Sequence, residues 1–142
     1  MKDEDCIFCK IAAGDIPSAT LYEDEYFRVI LDLGPATKGH ALIIPKDHYK
    51  DVTTLPEDLA GRVLPLSAKI GDALVKSLGA DGFNLVQNNG EAAGQTVMHF
   101  HMHVIPRYKD DTGMILWTPG STDQAYMQDI VGKVRTFFAE NA

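Results

Sequence analysis

The segment His99-Phe-His-Met-His-Val-Ile-Pro106 sets three histidines at every second position, each separated from the next by a single apolar residue. A period of two is the period of a β-strand, which sends alternate side chains to opposite faces. Met98, Phe100, Met102 and Val104 then share one wholly apolar face, which must pack on a core. His99, His101 and His103 share the other face with Val97 and Ile105. The pattern predicts a long strand over Thr96–Ile105, with the imidazoles on the far side of the sheet, about 6.6–6.8 Å from one to the next.

The rest of the chain supplies partners for that strand. Cys6–Ala13 reads as a short helix stopped by Gly14 and Pro17. Thr20–Tyr22 and Tyr26–Leu33 read as strands around Glu23-Asp24-Glu25, and Gly34-Pro35 ends the second. His40–Pro45 is a short buried strand, and Phe83–Asn88 is another, closed by the turn at Asn89-Gly90. Thr54-Leu-Pro-Glu57 has the form of a helix start, with a Thr N-cap and Glu three residues on. Leu59, Val63, Leu66, Ile70, Ala73 and Leu74 follow at helical spacing as far as Leu78-Gly79, with a kink expected at Pro65. A last helix from about Asp123 carries Met127, Ile130, Val134, Phe137 and Phe138 on one face. The expected fold class is therefore α+β, a five-stranded antiparallel sheet with helices on one face, formed by residues 1–142 as one domain.

Composition narrows the function. The 142 residues carry a formal charge of −7, which argues against nucleic-acid binding but not against a small phosphate ligand. No apolar run approaches the ~20 residues that span a bilayer. The N-terminus MKDEDCIFCK has no signal-peptide core, so a cytoplasmic protein is expected. Cys6 and Cys9 then form a metal or redox pair more readily than a structural disulfide.

Three of the five histidines on one strand face admit several readings: a polar outer surface, a metal site, or catalysis near neutral pH. Three parallel side chains converge poorly on one Zn²⁺ with ligands at ~2.0–2.1 Å. The preceding loop Asn88-Asn-Gly-Glu-Ala-Ala-Gly-Gln-Thr96 favours phosphate: its glycines allow close backbone approach, and Gln95 and Thr96 offer donors beside the strand.

The stretch Gly94-Gln-Thr-Val-Met-His-Phe-His-Met-His-Val-Ile-Pro106 resembles the signature of the histidine triad (HIT) family. The segments CIFCKI, GDIPS, Leu31-Asp32-Leu33 and Lys38-Gly-His-Ala-Leu-Ile-Ile-Pro-Lys46 extend the resemblance over nearly the whole chain and point to the Hint-like branch, near the bacterial HIT-like proteins. That resemblance implies a nucleotide hydrolase or transferase acting on purine nucleoside 5′-monophosphoramidates of the AMP-amine type. His101 would be the nucleophile and form a covalent nucleotidyl-histidine. His103 would bind the phosphate and leaving-group side, and His40 would complete the phosphate site. Asp32 would hold the ribose hydroxyls; Ile7, Phe8, Ile11 and Leu33 would enclose the base. Asn88 matches the Hint branch, whereas Gly94-Gln-Thr-Val97 and Pro106-Arg107 look more like Fhit, which keeps dinucleoside polyphosphate hydrolysis as an alternative beside a nucleotide-binding regulatory role. Cys6 and Cys9 have zinc-knuckle spacing. With His48 and His99 they make the Cys2His2 set of many bacterial HIT proteins, implying one structural Zn²⁺ per protomer and no metal in the chemistry. The family also implies a homodimer with a continuous sheet, in which residues 108–120, including Trp117, reach the partner's site.

Overall fold

The computed structural model describes residues 1–112 and 117–141. In chain order it holds α1 (Ile7–Ala13), β1 (Thr20–Glu23), β2 (Phe27–Leu31), β3 (Ala41–Pro45), α2 (Glu57–Leu78), β4 (Gly82–Val86), β5 (Met102–Arg107) and α3 (Gln124–Glu140), with 3-10 turns at Val52–Thr54 and Glu91–Ala93. The five strands form one antiparallel sheet in the order β1-β2-β3-β5-β4.

Strand alternation divides the core into two. Val29 and Ile43, facing each other in the β2–β3 register, join Phe27, Ala41, Phe100 and Val104 beneath Val63, Leu66, Ile70 and Leu74 of α2. Ile30, Leu42 and Ile44 point to the opposite face and pack against Phe8 and Ala12 of α1. The helices expected together on one face are thus split, α2 over one face and α1 over the other. The cause is local. The apolar residues of β2 and β3 fall on both parities, the mark of a strand buried on both sides.

Two boundaries differ for identifiable reasons. Thr54 does not cap α2. Asp51 and Thr54 instead close a capping box around the preceding 3-10 turn, and α2 begins after Pro56, which offers no side-chain cap. Within α2, Pro65 removes one backbone donor but the helix continues to Leu78, where Gly79 takes the left-handed conformation and caps it. The histidine strand is also shorter than the pattern predicts. β5 starts at Met102, because its pairing with β3 ends at the Ile43–Met102 pair. Before that point Phe100 N–H donates to Tyr49 O at 2.6 Å rather than to a sheet neighbour. The alternation survives: Phe100 is buried on the α2 side, while His99 and His101 are buried on the α1 side. Met98, expected in the core, is exposed.

All residues of α3 are exposed, including the stripe Tyr126, Met127, Ile130, Val134, Phe137 and Phe138. Its N-cap Asp123 accepts from Tyr126 N–H. Among the described residues no helix is long and apolar enough to cross a membrane.

Candidate active site and metal-ligand cluster

The three histidines do not line an open sheet face as the strand pattern predicts. His99 is fully buried, and His101 is 6% exposed. Both lie beneath α1, whose Phe8 ring meets His101 edge-on at 4.9 Å and 89°, and His99 at 6.0 Å and 78°. Burial also governs their acidity. It pushes His99 and His103 down to about 4, and moves His101 and His40 below the usual imidazole range. In His103 the neighbouring His101 and His40 push the same way, while Asp32 opposes. All four rings are neutral at pH 7, so each carries one N–H and one lone pair.

Fixed backbone partners decide which nitrogen holds the proton. A carbonyl only accepts, so the 2.7 Å contact between His101 Nδ1 and His99 O places the His101 proton on Nδ1. Its Nε2 then holds a lone pair. Ala36 N–H donates to His40 Nδ1 at 2.9 Å, which places the His40 proton on Nε2. That Nε2–H is 2.9 Å from His103 Nδ1, which therefore accepts, leaving the His103 proton on Nε2. His101 and His103, with ring centroids 4.9 Å apart, thus pair a nucleophilic lone pair with a hydrogen-bond donor. His40 has both nitrogens engaged, Nδ1 by Ala36 N–H and Nε2 by His103. Gly39, just before His40, has φ +92°, and a Cβ there would stand 2.5 Å from Leu78 Cδ1.

Asp32 lies beside this trio. Its Oδ1 accepts from Gly34 N–H at 2.8 Å, and Oδ2 is 3.6 Å from His40 Nε2. With His40 neutral this is a dipolar contact rather than an ion pair. Of the apolar residues assigned to a base pocket, Phe8 is buried, Ile11 packs at the edge of the α1 core, Ile7 is half-exposed and Leu33 is fully exposed.

The loop before the triad separates the roles of its residues. Thr96 is exposed and Asn88 is half-buried, its Nδ2 3.5 Å from Gly94 O. Gln95, expected to donate to phosphate, is 1% exposed and fully committed to the protein. Its Nε2 donates to Lys50 O at 2.7 Å and to Val97 O at 3.1 Å, and its Oε1 accepts from Gly90 N–H at 2.9 Å. It fixes the loop's shape and has no donor left for a ligand. Sequence reasoning also missed Ala36 and Pro45 as tautomer-setting groups, since a backbone atom leaves no residue-type signal.

Cys6, Cys9, His48 and His99 come together behind the triad, their donor atoms all within 4.8 Å of one another. His99 Nε2–H donates to Pro45 O at 2.9 Å, so the lone pair is on Nδ1 and turns into this cluster. From Nδ1 the distances are 3.3 Å to Cys6 Sγ, 3.5 Å to Cys9 Sγ and 3.2 Å to His48 Nδ1; Cys9 Sγ is 3.4 Å from His48 Nδ1. Bond lengths of ~2.05 Å to nitrogen and ~2.3 Å to sulfur give tetrahedral edges of about 3.3 Å between nitrogens and about 3.6 Å between sulfur and nitrogen. The donors therefore fit a tetrahedral Zn²⁺ set. A second cluster, Asp32, His40 and His103, brings three donors within the same range. The His40–His103 hydrogen bond occupies two of its nitrogens.

Trp117 is 84% exposed. Residues 113–116 of the tail expected to reach a partner site lie outside the described residues.

The sequence model of the HIT domain matches residues 13–110. The chain is 41% identical over 109 residues to the adenosine 5′-monophosphoramidase hnt1 of Schizosaccharomyces pombe, covering 77% of this chain and 79% of that protein. It is similar in structure to a histidine triad nucleotide-binding protein from Candida albicans, with a TM-score of 0.86 and 35% identity over 97% of this chain and 100% of that one. A Zn-bound histidine triad family protein from Mycobacterium smegmatis matches with a TM-score of 0.75 and 36% identity, covering 93% and 96% of the two chains.

Proposed function

As this chain belongs to the HIT domain family, we propose that it hydrolyses purine nucleoside 5′-monophosphoramidates of the AMP-amine type through a nucleotide bound covalently to His101. The observation that carries the reading is the pair of adjacent tautomers. His101 offers a lone pair at Nε2, and His103 offers an N–H at Nε2. His101 Nε2 attacks the α-phosphorus, a P–N bond forms to the imidazole, and the P–N bond to the leaving amine breaks. The amine takes up one proton as it leaves and the attacking water of the second step gives one up, so the cycle consumes none; the Nε2–H of His103, whose ring centroid is 4.9 Å from that of His101, donates a hydrogen bond to the reacting phosphoryl group. Water then attacks the phosphorus, breaks the bond to His101 and releases AMP. Splitting the displacement replaces one hard attack by water with two easier ones.

Thr96, on the exposed surface of the loop, donates to a phosphate oxygen, and Asn88 lies beside it. Asp32 receives the ribose hydroxyls. The base sits against Ile7, Phe8, Ile11 and Leu33, of which Ile7 and Leu33 have the accessible surface to cover it.

The Cys6, Cys9, His48 and His99 donors hold one Zn²⁺ in this reading. Four protein ligands leave no open position, so the ion is structural and supplies local folding energy. The protein works as a homodimer through the edge of β4, where Phe83 and Leu85 are about two-fifths exposed and, among the described residues, no further strand pairs. Trp117 then belongs to the surface shared with the partner.

Turnover of an AMP-linked fluorogenic amine and of diadenosine polyphosphates, in wild type and His101→Ala, tests the function. Amine release lost in the variant, with AMP still bound, supports it. Cleavage of the polyphosphates alone would transfer the chain to the Fhit-like reaction. AMP binding without turnover of either would make it a nucleotide-binding protein.

A further inference from the structure

His99 makes three bonds of different kinds. Its Nε2–H holds Pro45 O, its Nδ1 faces the Cys6, Cys9 and His48 donors, and its own carbonyl receives the Nδ1–H of His101. We propose that His99 is a positioning residue for His101, and that a metal ion on the Cys2His2 donors sets how firmly the nucleophile keeps its reactive tautomer. The inference rests on the readings of His101 as nucleophile and of the four donors as a metal site.

The need for positioning is chemical. A free histidine prefers its proton on Nε2, which would leave His101 with no lone pair toward a substrate. Only the acceptor at Nδ1 reverses that preference, and the acceptor is the His99 carbonyl at 2.7 Å. The direction of that carbonyl is not set by the sheet. The ladder ends at Met102, and residues 97–101 lie outside any strand. What anchors His99 is its side chain, together with the single bond from Phe100 N–H to Tyr49 O. One of the side chain's two nitrogens belongs to the cluster.

A second route runs through α1. Cys6 caps this helix, accepting from Cys9 N–H, and Cys9 lies in its first turn. Phe8, between them in sequence, is the ring that packs edge-on to both His99 and His101. A helix of seven residues is too short to hold its own conformation in water. Fixing two donors at its start therefore fixes the wall against which the nucleophile rests. The first route acts through the orientation of His101 and falls on kcat; the second also moves Ile7, Phe8 and Ile11, against which the base rests, and falls on KM as well.

The experiment compares wild type, chelator-treated wild type, His48→Gln and His48→Cys. Bound metal is counted by mass spectrometry, the His101 tautomer is read by long-range ¹⁵N–¹H NMR, and kcat and KM are measured with the AMP-linked amine. Loss of metal is expected to shift His101 toward the Nε2–H form and lower kcat about tenfold, the scale on which groups that orient a ligand act. KM should rise with it, because the loosened α1 also carries Ile7, Phe8 and Ile11. His48→Cys keeps four donors and should retain metal and the Nδ1–H tautomer of His101, which separates a lost ion from a damaged site. Metal loss with tautomer and kcat unchanged overturns the coupling while the nucleophile and metal readings stand. A His48→Cys protein that binds metal yet carries His101 in the Nε2–H form overturns it too. Wild type without stoichiometric metal removes the metal reading, and the coupling with it.

Discussion

Replacing Gln95 with leucine distinguishes a clamp inside the protein from a direct ligand to phosphate. The side chain is 1% exposed, so leucine refills most of the space while removing three hydrogen bonds to backbone groups at Lys50, Val97 and Gly90. A typical internal hydrogen bond contributes about 1 kcal/mol net, and a partner left buried without a bond costs about 1–3 kcal/mol. Lys50 and Gly90 lie near the surface and recover water, so the sum is about 2–4 kcal/mol. That is a large share of the ~5–15 kcal/mol of a typical domain, and the variant remains folded at 25 °C. The melting temperature should fall by roughly 6–16 °C, at ~3–4 °C per kcal/mol for a chain of this size. A thermal melt and steady-state kinetics on the same preparation supply the assay. A clamp predicts the fall in melting temperature together with a loss in kcat/KM, as Thr96 and Asn88 lose their placement. An unchanged melting temperature with a raised KM would refute the reasoning and return Gln95 to the phosphate-donor role its position in the sequence suggests.

Gly39→Ala should lower stability by about 2–4 kcal/mol, because alanine is strained at φ +92° and its Cβ would meet Leu78 at 2.5 Å; urea unfolding checks it, and an unchanged midpoint counts against the close approach. His40→Ala should lower kcat roughly 10- to 100-fold with little change in KM, since His103 loses the partner that sets its tautomer; a change confined to KM would place His40 on the substrate instead. Stability should decline as pH falls from about 6.5 toward about 4. His103 is held down to about 4 by burial and by His101 and His40, and His40 moves in the same direction. The unfolded chain therefore binds protons in that window that the folded one refuses, and the loss is on the order of 2 kcal/mol. Urea midpoints from pH 7.5 to 4.5 that stay flat, or rise on acidification, would contradict it.

The alternation of His99 to His103 was enough to place apolar residues on one side and imidazoles on the other, and Phe100 and His101 obey it. It could not show that the imidazole side is covered. That depends on α1 returning from ninety residues away in sequence, and on Ile30, Leu42 and Ile44 giving it a surface to pack on. The residue types at the site were legible because Cys, His and Asp carry their chemistry in the side chain. The proton positions were not, since they are decided by Ala36 N–H and by the carbonyls of Pro45 and His99. Gln95 shows the same limit. A polar residue beside a phosphate loop looks like a ligand contact until its burial and three internal partners are known.

The central claim is that His101 Nε2 forms the bond to phosphorus. Rapid quench of wild type with an AMP-linked amine, followed by peptide mapping under mildly alkaline conditions that preserve phosphorus–nitrogen bonds, tests it most directly. The account predicts a transient AMP adduct on His101, formed and lost at rates that account for turnover, and absent in His101→Ala. An adduct on another residue, or turnover retained by His101→Ala, would contradict it.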